Sequence, residues 1–272
     1  MIVNPSKEKY DIIILAGQSN ASGCGIGKTT MLWSVDTDIM MMKGAFLRDD
    51  GNEFERDAKK LRYAAEYKIQ IADERHAEGY RRGVLALPFA KRYKEEFLEN
   101  GRKILIVDAA RGGTGFCSGH WTLDGGLYVR MVDMVESALE MNDENRVVAL
   151  LWHQGEIDTN RSSKYTEEEL YNVHYNNVSA LVKDVRAKFG EIPFICGGYT
   201  KEWFEKMTRA VITEKAQADV ARDLGKGAFC QGNDLPSNMI IDGTEPYHFN
   251  RESIYILGNR YFEAYKHICK EI

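Results

Sequence analysis

Five short runs of the chain are largely apolar: IIILA (12–16), ILIVDA (104–109), VVALLW (147–152), IPFICG (192–197) and, less cleanly, GAFCQG (227–232). Runs of this length predict strands buried on both faces. Between them the apolar positions follow a helical period. Phe89, Tyr93 and Phe97 share one face of residues 87–99, and Met131, Met134, Val135 and Leu139 share one face of 127–141. Thr166 opens the capping sequence T-E-E-E, from which a helix is expected to run to about Phe189. Residues 207–224 and 251–268 predict two further helices. Apolar strands alternating with amphipathic helices predict an α/β fold, doubly wound, with a five-stranded parallel sheet covered on both faces. No linker or repeat interrupts the pattern, so residues 1–272 read as one domain.

Residues 31–82 depart from this alternation. DTDIMMMKGAFL has the makings of an extra strand, while LRYAAEYKIQIADERH is charged and fits neither template cleanly. An insertion after the carboxyl end of a first strand overhangs the ligand crevice of a doubly wound sheet. A segment that shapes the substrate site and a plain structural elaboration both fit.

Charge and cysteine content narrow the partners. The formal net charge is −5 over 272 residues, which gives no electrostatic reason to expect nucleic acid or an anionic membrane. The 5 cysteines are scattered and form no C-x-x-C pair, which speaks against a disulfide framework or a zinc site and suits a reducing compartment. The opening MIVNPSKEKYD lacks the apolar core of a secretory signal. A cytoplasmic protein is expected, or a secreted or periplasmic one if a leader precedes this sequence. Oligomeric state is not legible, because an apolar stripe looks alike in a core and an interface.

Four polar blocks sit where such a fold gathers its chemistry. AGQSNASG (16–23) follows the first strand and offers Ser19 at the sheet's carboxyl edge, flanked by Gln18 and Asn20. DAARGGTG (108–115) follows the second, and its paired Gly112 and Gly113 allow backbone N–H groups to face an anion. LLWHQGEID (150–158) delivers His153, Gln154, Glu156 and Asp158 at the end of a third. Gln154 has an amide to donate, whereas Glu156 and Asp158 suit loop bracing better than chemistry. DGTEPYHFN (242–250) places His248 three residues after Glu245 and six after Asp242. Each block alone reads equally as a turn or a solvated loop. Together they supply a nucleophile, a base, an orienting acid and oxyanion donors, the set that acyl transfer needs.

In order and spacing, these blocks resemble the SGNH hydrolase superfamily, and within it the sialate O-acetylesterase-like group and the acetylxylan esterases of carbohydrate esterase family six. GQSN, GGT, HQGE-x-D and the late acid-x-x-His-Phe carry the resemblance, from about residue 10 to residue 262. It implies a flavodoxin-like three-layer α/β/α fold, no cofactor, and removal of acetyl groups from a carbohydrate (sialic acid, xylan or a related glycan) through an acetyl-serine intermediate. By position Ser19 becomes the nucleophile and His248 the base. Gly112, Gly113 and the N–H of Ser19 become backbone oxyanion donors, and Gln154 the side-chain donor. The acid before the histidine is usually aspartate; here it is Glu245, so Asp242 stays open as the third member.

A phosphate-binding protein is the rival from another class. SGCGIGKTT (22–30) nearly completes G-x-x-x-x-G-K-[ST], with Gly27, Lys28 and Thr29 in place and Asp108 as a magnesium-holding carboxylate. Ser22, however, stands at the first glycine position, and the reading leaves HQGE-x-D and His248 without a role. A catalytically silent sugar-binding relative is a third reading, against which the completeness of the catalytic set argues.

Overall fold

The computed structural model describes residues 7–27, 33–47, 62–77, 79–161 and 164–270. Its strands are β1 (Lys9–Gly17), β2 (Gly25–Gly27), β3 (Ile39–Leu47), β4 (Arg62–Ile71), β5 (Arg75–Ala77), β6 (Tyr80–Gly83), β7 (Arg102–Asp108), β8 (Arg146–His153), β9 (Phe194–Gly197) and β10 (Gly227–Cys230). Its helices are α1 (Ser19–Ser22), α2 (Ala86–Glu96), α3 (Gly126–Glu140), α4 (Glu156–Arg161), α5 (Glu167–Phe189), α6 (Lys201–Lys206), α7 (Ala210–Asp223), α8 (Met239–Asp242) and α9 (Arg251–Lys270).

The main sheet runs β10-β9-β8-β1-β7-β3-β4. The five strands expected from the apolar runs are β1, β7, β8, β9 and β10, all parallel to their neighbours in that group. Numbered among themselves they take the flavodoxin-like order 2-1-3-4-5, whose switch point falls between β1 and β8. The sheet nonetheless has 7 strands, not five. β3 adds parallel to β7, and β4 closes the edge antiparallel to β3. β3 is an interior strand, with Met40, Met41 and Met42 buried. Among the described residues β4 has no partner on its outer side, and it exposes Lys68 and Gln70, which is why its sequence carries the mixed polarity of an edge.

Alternate residues of β1 enter opposite layers, as the period of two requires. Ile12 and Ile14 pack with Met131, Leu181 and Val220 from α3, α5 and α7. Ile13 and Leu15 pack with Phe89, Leu257 and Phe262 from α2 and α9. Fully burying each such side chain contributes roughly 1.5–3 kcal/mol, so β1 is pinned from both faces. α5 begins in the capping box expected at Thr166: the Glu169 N–H donates to Thr166 Oγ1 (3.2 Å), and the Thr166 N–H donates to Glu169 Oε2 (2.7 Å). At the amino end of β1, buried Asp11 accepts from Arg102 Nε (2.8 Å) and Arg146 Nε (2.7 Å). That cluster is structural; the polar blocks lie at the opposite end.

The phosphate-loop reading does not hold. Gly25–Gly27 is an extended strand paired antiparallel with β6, not a loop running into a helix. Asp108 is buried and faces the cation of Arg75 at 3.6 Å, leaving it poorly placed for magnesium. Lys28 and Thr29 lie outside the described residues.

Candidate active site

Gly17 ends β1 at φ +119, and a Cβ there would overlap the carbonyl oxygen of His153. Only glycine lets the chain turn this close to β8, and the turn carries Ser19 to the sheet's edge. The Gln18 N–H donates to that same carbonyl (2.8 Å), and the Arg111 N–H donates to Gly17 O (3.0 Å). β1, β7 and β8 are thereby tied together where they end. Gly112 lies over Ser19, a Cβ at Gly112 being 3.5 Å from Ser19 Cβ, and Gly113 needs its freedom at φ +73. Thr114 fixes this turn by donating to Arg111 O (2.6 Å) and accepting from Trp121 Nε1 (3.0 Å).

His248 arrives on the loop between α8 and α9. Its Nδ1 lies 2.9 Å from Glu245 Oε2. Burial acts to raise the Glu245 carboxyl, but the bond and charge of His248, the Asn238 amide and Arg82 outweigh it and hold the group below the ordinary carboxylate range. Asp242 faces away: it is exposed, and its Oδ1 accepts from the N–H and Oγ1 of Thr244 (2.8 Å each). Asn20, one residue after Ser19, clasps the histidine loop. Its Nδ2 donates to Tyr247 O (2.8 Å) and to Glu156 Oε1, and its Oδ1 accepts from the Phe249 N–H (3.0 Å).

Ser19 and His248, 7% and 9% exposed, line one cavity of about 790 Å³. Gly112, Gly113, Gln18 and Glu156 line it too. Gln154 does not: it is fully buried, and its Nε2 points at Asp158 Oδ2 (2.9 Å), Thr114 O (3.3 Å) and Gln18 Oε1 (3.4 Å). Three acceptors surround this one nitrogen, so in this arrangement the amide is engaged in a brace behind the cavity. Asp158 is the centre of that brace. It accepts from the N–H groups of Phe116 (2.9 Å) and Cys117 (3.2 Å), and His174 Nε2 lies at 3.2 Å. Burial would raise its carboxyl, yet His174, Gln154 and the Phe116 N–H lower it below the usual range. His153 is likewise buried, with Nε2 3.2 Å from Glu156 Oε1.

Arg75, Trp203, Lys206, Met207 and Tyr247 also line the cavity, and the motifs did not single them out. Arg75 comes from the 31–82 segment, so part of that segment does shape the cavity. Trp203 stacks edge-on with Tyr247 (5.6 Å), and Tyr247 in turn with His248 (4.5 Å). Among the described residues no cluster of His, Cys, Asp and Glu could hold a metal ion, and no helix is long and apolar enough to cross a membrane.

Several solved structures share this architecture. NanS is 19% identical at a TM-score of 0.70, with 97% of this chain and 99% of that one aligned. A protein from Arabidopsis thaliana is 20% identical at 0.67, covering 95% and 98%. Est24, a carbohydrate acetylesterase from Sinorhizobium meliloti, is 13% identical at 0.51, covering 97% and 100%. At these identities the likeness speaks for the fold. No curated protein sequence matches. The model of the family described as "Carbohydrate esterase, sialic acid-specific acetylesterase" matches residues 9–267, nearly the whole chain. With its serine-bearing turn and its histidine loop on one cavity, the chain belongs to that family and is a carbohydrate O-acetylesterase.

Proposed function

We propose that Ser19, His248 and Glu245 form the catalytic triad of a single hydrolase domain, and that the substrate is an O-acetylated sugar acid of the sialic acid class. The hydrogen bond between His248 Nδ1 and Glu245 Oε2 carries the first part. A carboxylate on Nδ1 selects the tautomer protonated there and leaves Nε2 as the base. His248 then takes the Ser19 proton as Oγ attacks the acetyl carbonyl. The oxyanion is held by the N–H of Ser19 and a backbone N–H at Gly112 or Gly113, with no part for Gln154. The imidazolium gives its proton to the departing sugar hydroxyl. A water activated by the same nitrogen then attacks the acetyl-serine, releasing acetate and restoring Ser19. The acyl carbonyl, not a cofactor, is the electrophile.

The cavity's charge carries the second part. The whole chain is net −5, yet Arg75, Arg111 and Lys206 all line the cavity; of the carboxylates near them, Glu156 is engaged by Asn20 and Asp108 lies buried behind Arg75 at 3.6 Å. Cations gathered in a cleft of an acidic protein favour an anionic ligand and have little to offer a neutral xylan. The test is kcat/KM for O-acetylated sialic acid against acetylated xylo-oligosaccharide. A preference for the sialic acid of about tenfold or more is expected, as one good ionic contact supplies. Arg75→Gln should raise KM for the sugar acid and leave a neutral aryl acetate unaffected. Equal kcat/KM for the two sugars would remove the anionic substrate.

A further inference from the structure

Glu245 is not held by its own backbone. It sits at φ +55, a conformation that non-glycine residues rarely adopt, and its side chain is 39% exposed. The helix before it, α8, buries none of its residues. A carboxylate in that setting can turn to water as readily as to an imidazole.

Asn238 answers this. It is fully buried, and its side chain and N–H together make four hydrogen bonds. Its Oδ1 accepts from the Ile26 N–H (3.0 Å), and its Nδ2 donates to Cys24 O (3.1 Å) and to Glu245 Oε2 (3.0 Å). Its own N–H donates to His248 O (2.8 Å). Because Oδ1 must meet the Ile26 N–H, the amide cannot be turned over, and Nδ2 is committed to the acid. Glu245 Oε2 thus receives Asn238 on one side and His248 Nδ1 on the other.

We propose that Asn238 is the positioning residue of the triad acid. It fixes the Glu245 side chain against His248 and, by donating to the ionised form, keeps the carboxylate charged. The inference rests on Glu245 being that acid. It also gives Asn238 a role distinct from the simpler one of tying the β2 segment to the histidine loop.

A double-mutant cycle separates these roles, read as kcat on an aryl acetate. Asn238→Ala should lower kcat by about 10–100-fold with KM little changed, the scale typical of a lost outer-shell orienting partner. Asn238→Asp is nearly isosteric and keeps the acceptor for Ile26, so it preserves that half of the tether while losing the donor to Cys24 O. It nonetheless puts a second carboxylate against Glu245 and should lose at least as much activity. In a Glu245→Gln background, Asn238→Ala should cost less than about threefold more, since residues acting as a unit are not additive. The same 10–100-fold loss in both backgrounds would leave Asn238 only a tether and overturn the proposal, as would full activity in Asn238→Asp. If Glu245→Gln itself left kcat unchanged, the triad assignment would fail first, and the role of Asn238 with it.

Discussion

Around Ser19 every residue from Asp11 to Gly23 is buried, and the position of the proposed nucleophile is dictated by main chain: a strand end, a glycine turn and backbone hydrogen bonds to neighbouring strands. Around His248 the chain is exposed from Met239 to Thr244, and the position of the proposed base is dictated by side chains reaching in from elsewhere. Asn20 holds the peptides on either side of it, Asn238 its carbonyl and its acid, and Thr200 Oγ1 donates to Pro246 O. A strand end needs no help to stay in place, because the sheet's ladder and two hydrophobic layers determine it. A loop without a core of its own must be fastened by polar contacts, each removable by one substitution. The nucleophile should therefore be insensitive to its surroundings and the base sensitive to them.

The largest effect should come from Ser19→Ala. If main chain alone builds the turn, removing Oγ abolishes hydrolysis, on the order of a 10⁶-fold fall in kcat. The Tm should move by no more than a degree or two in a thermal melt. A folded variant that still cleaved an aryl acetate would take Ser19 out of the mechanism. A large drop in Tm would show that the hydroxyl helps to build the turn and erase the contrast.

Next is the acid. Glu245→Gln keeps the shape but loses the charge that selects the His248 tautomer, and kcat should fall by about 10²–10⁴-fold. Asp242→Asn should change kcat by less than about threefold, since Asp242 caps Thr244 in an exposed turn. The reverse ranking would make Asp242 the acid.

The smallest effect lies behind the histidine loop. Glu214 is 7% exposed and accepts from the Tyr199 N–H (2.8 Å), the residue before Thr200. Burial raises its carboxyl to about 7, the Tyr199 N–H opposing and the charge of Glu156 adding to the rise. Between the unfolded value of 4.5 and about 7 the folded state keeps a proton that the unfolded state has released, so stability falls as pH rises through that window and then levels off. Glu214→Gln removes the penalty. It should stabilise the protein by on the order of 1–3 kcal/mol at pH 8 and by almost nothing near pH 4.5. An equal change in Tm at both pH values would mean that the effect is not ionisation.

Legibility in the sequence follows the same division. The parallel strands were readable because a strand buried on both faces can be nothing but apolar, and the helices because α2, α3, α5 and α9 each bury one stripe. β4 was ambiguous because an edge strand mixes Tyr67 and Ile69 with Lys68 and Gln70. Ser19, Gly112 and Gly113 were placed at the cavity by topology alone, since each follows a parallel strand. Gln154 follows one too, but one residue decides whether a side chain faces the cavity or the brace behind it, and position in a motif does not report facing. Arg75, Trp203 and Asn238 were invisible for another reason: they come from three separate elements, and only tertiary packing brings them together.

Asn20 joins the two regions. Its bonds to Tyr247 and Phe249 span 227 and 229 positions of the chain. During synthesis the strand that leads into Ser19 emerges well before His248. Domains fold vectorially from the amino end, so a nascent chain can bury β1, β7 and β8 while still lacking its base. Contacts of such separation also close late, because their loop entropy must be overcome before they contribute. Esterase activity is thus expected only of a chain that reaches past the His248 loop: one stalled before Tyr247 has the segment of the serine turn but lacks the base proposed for it.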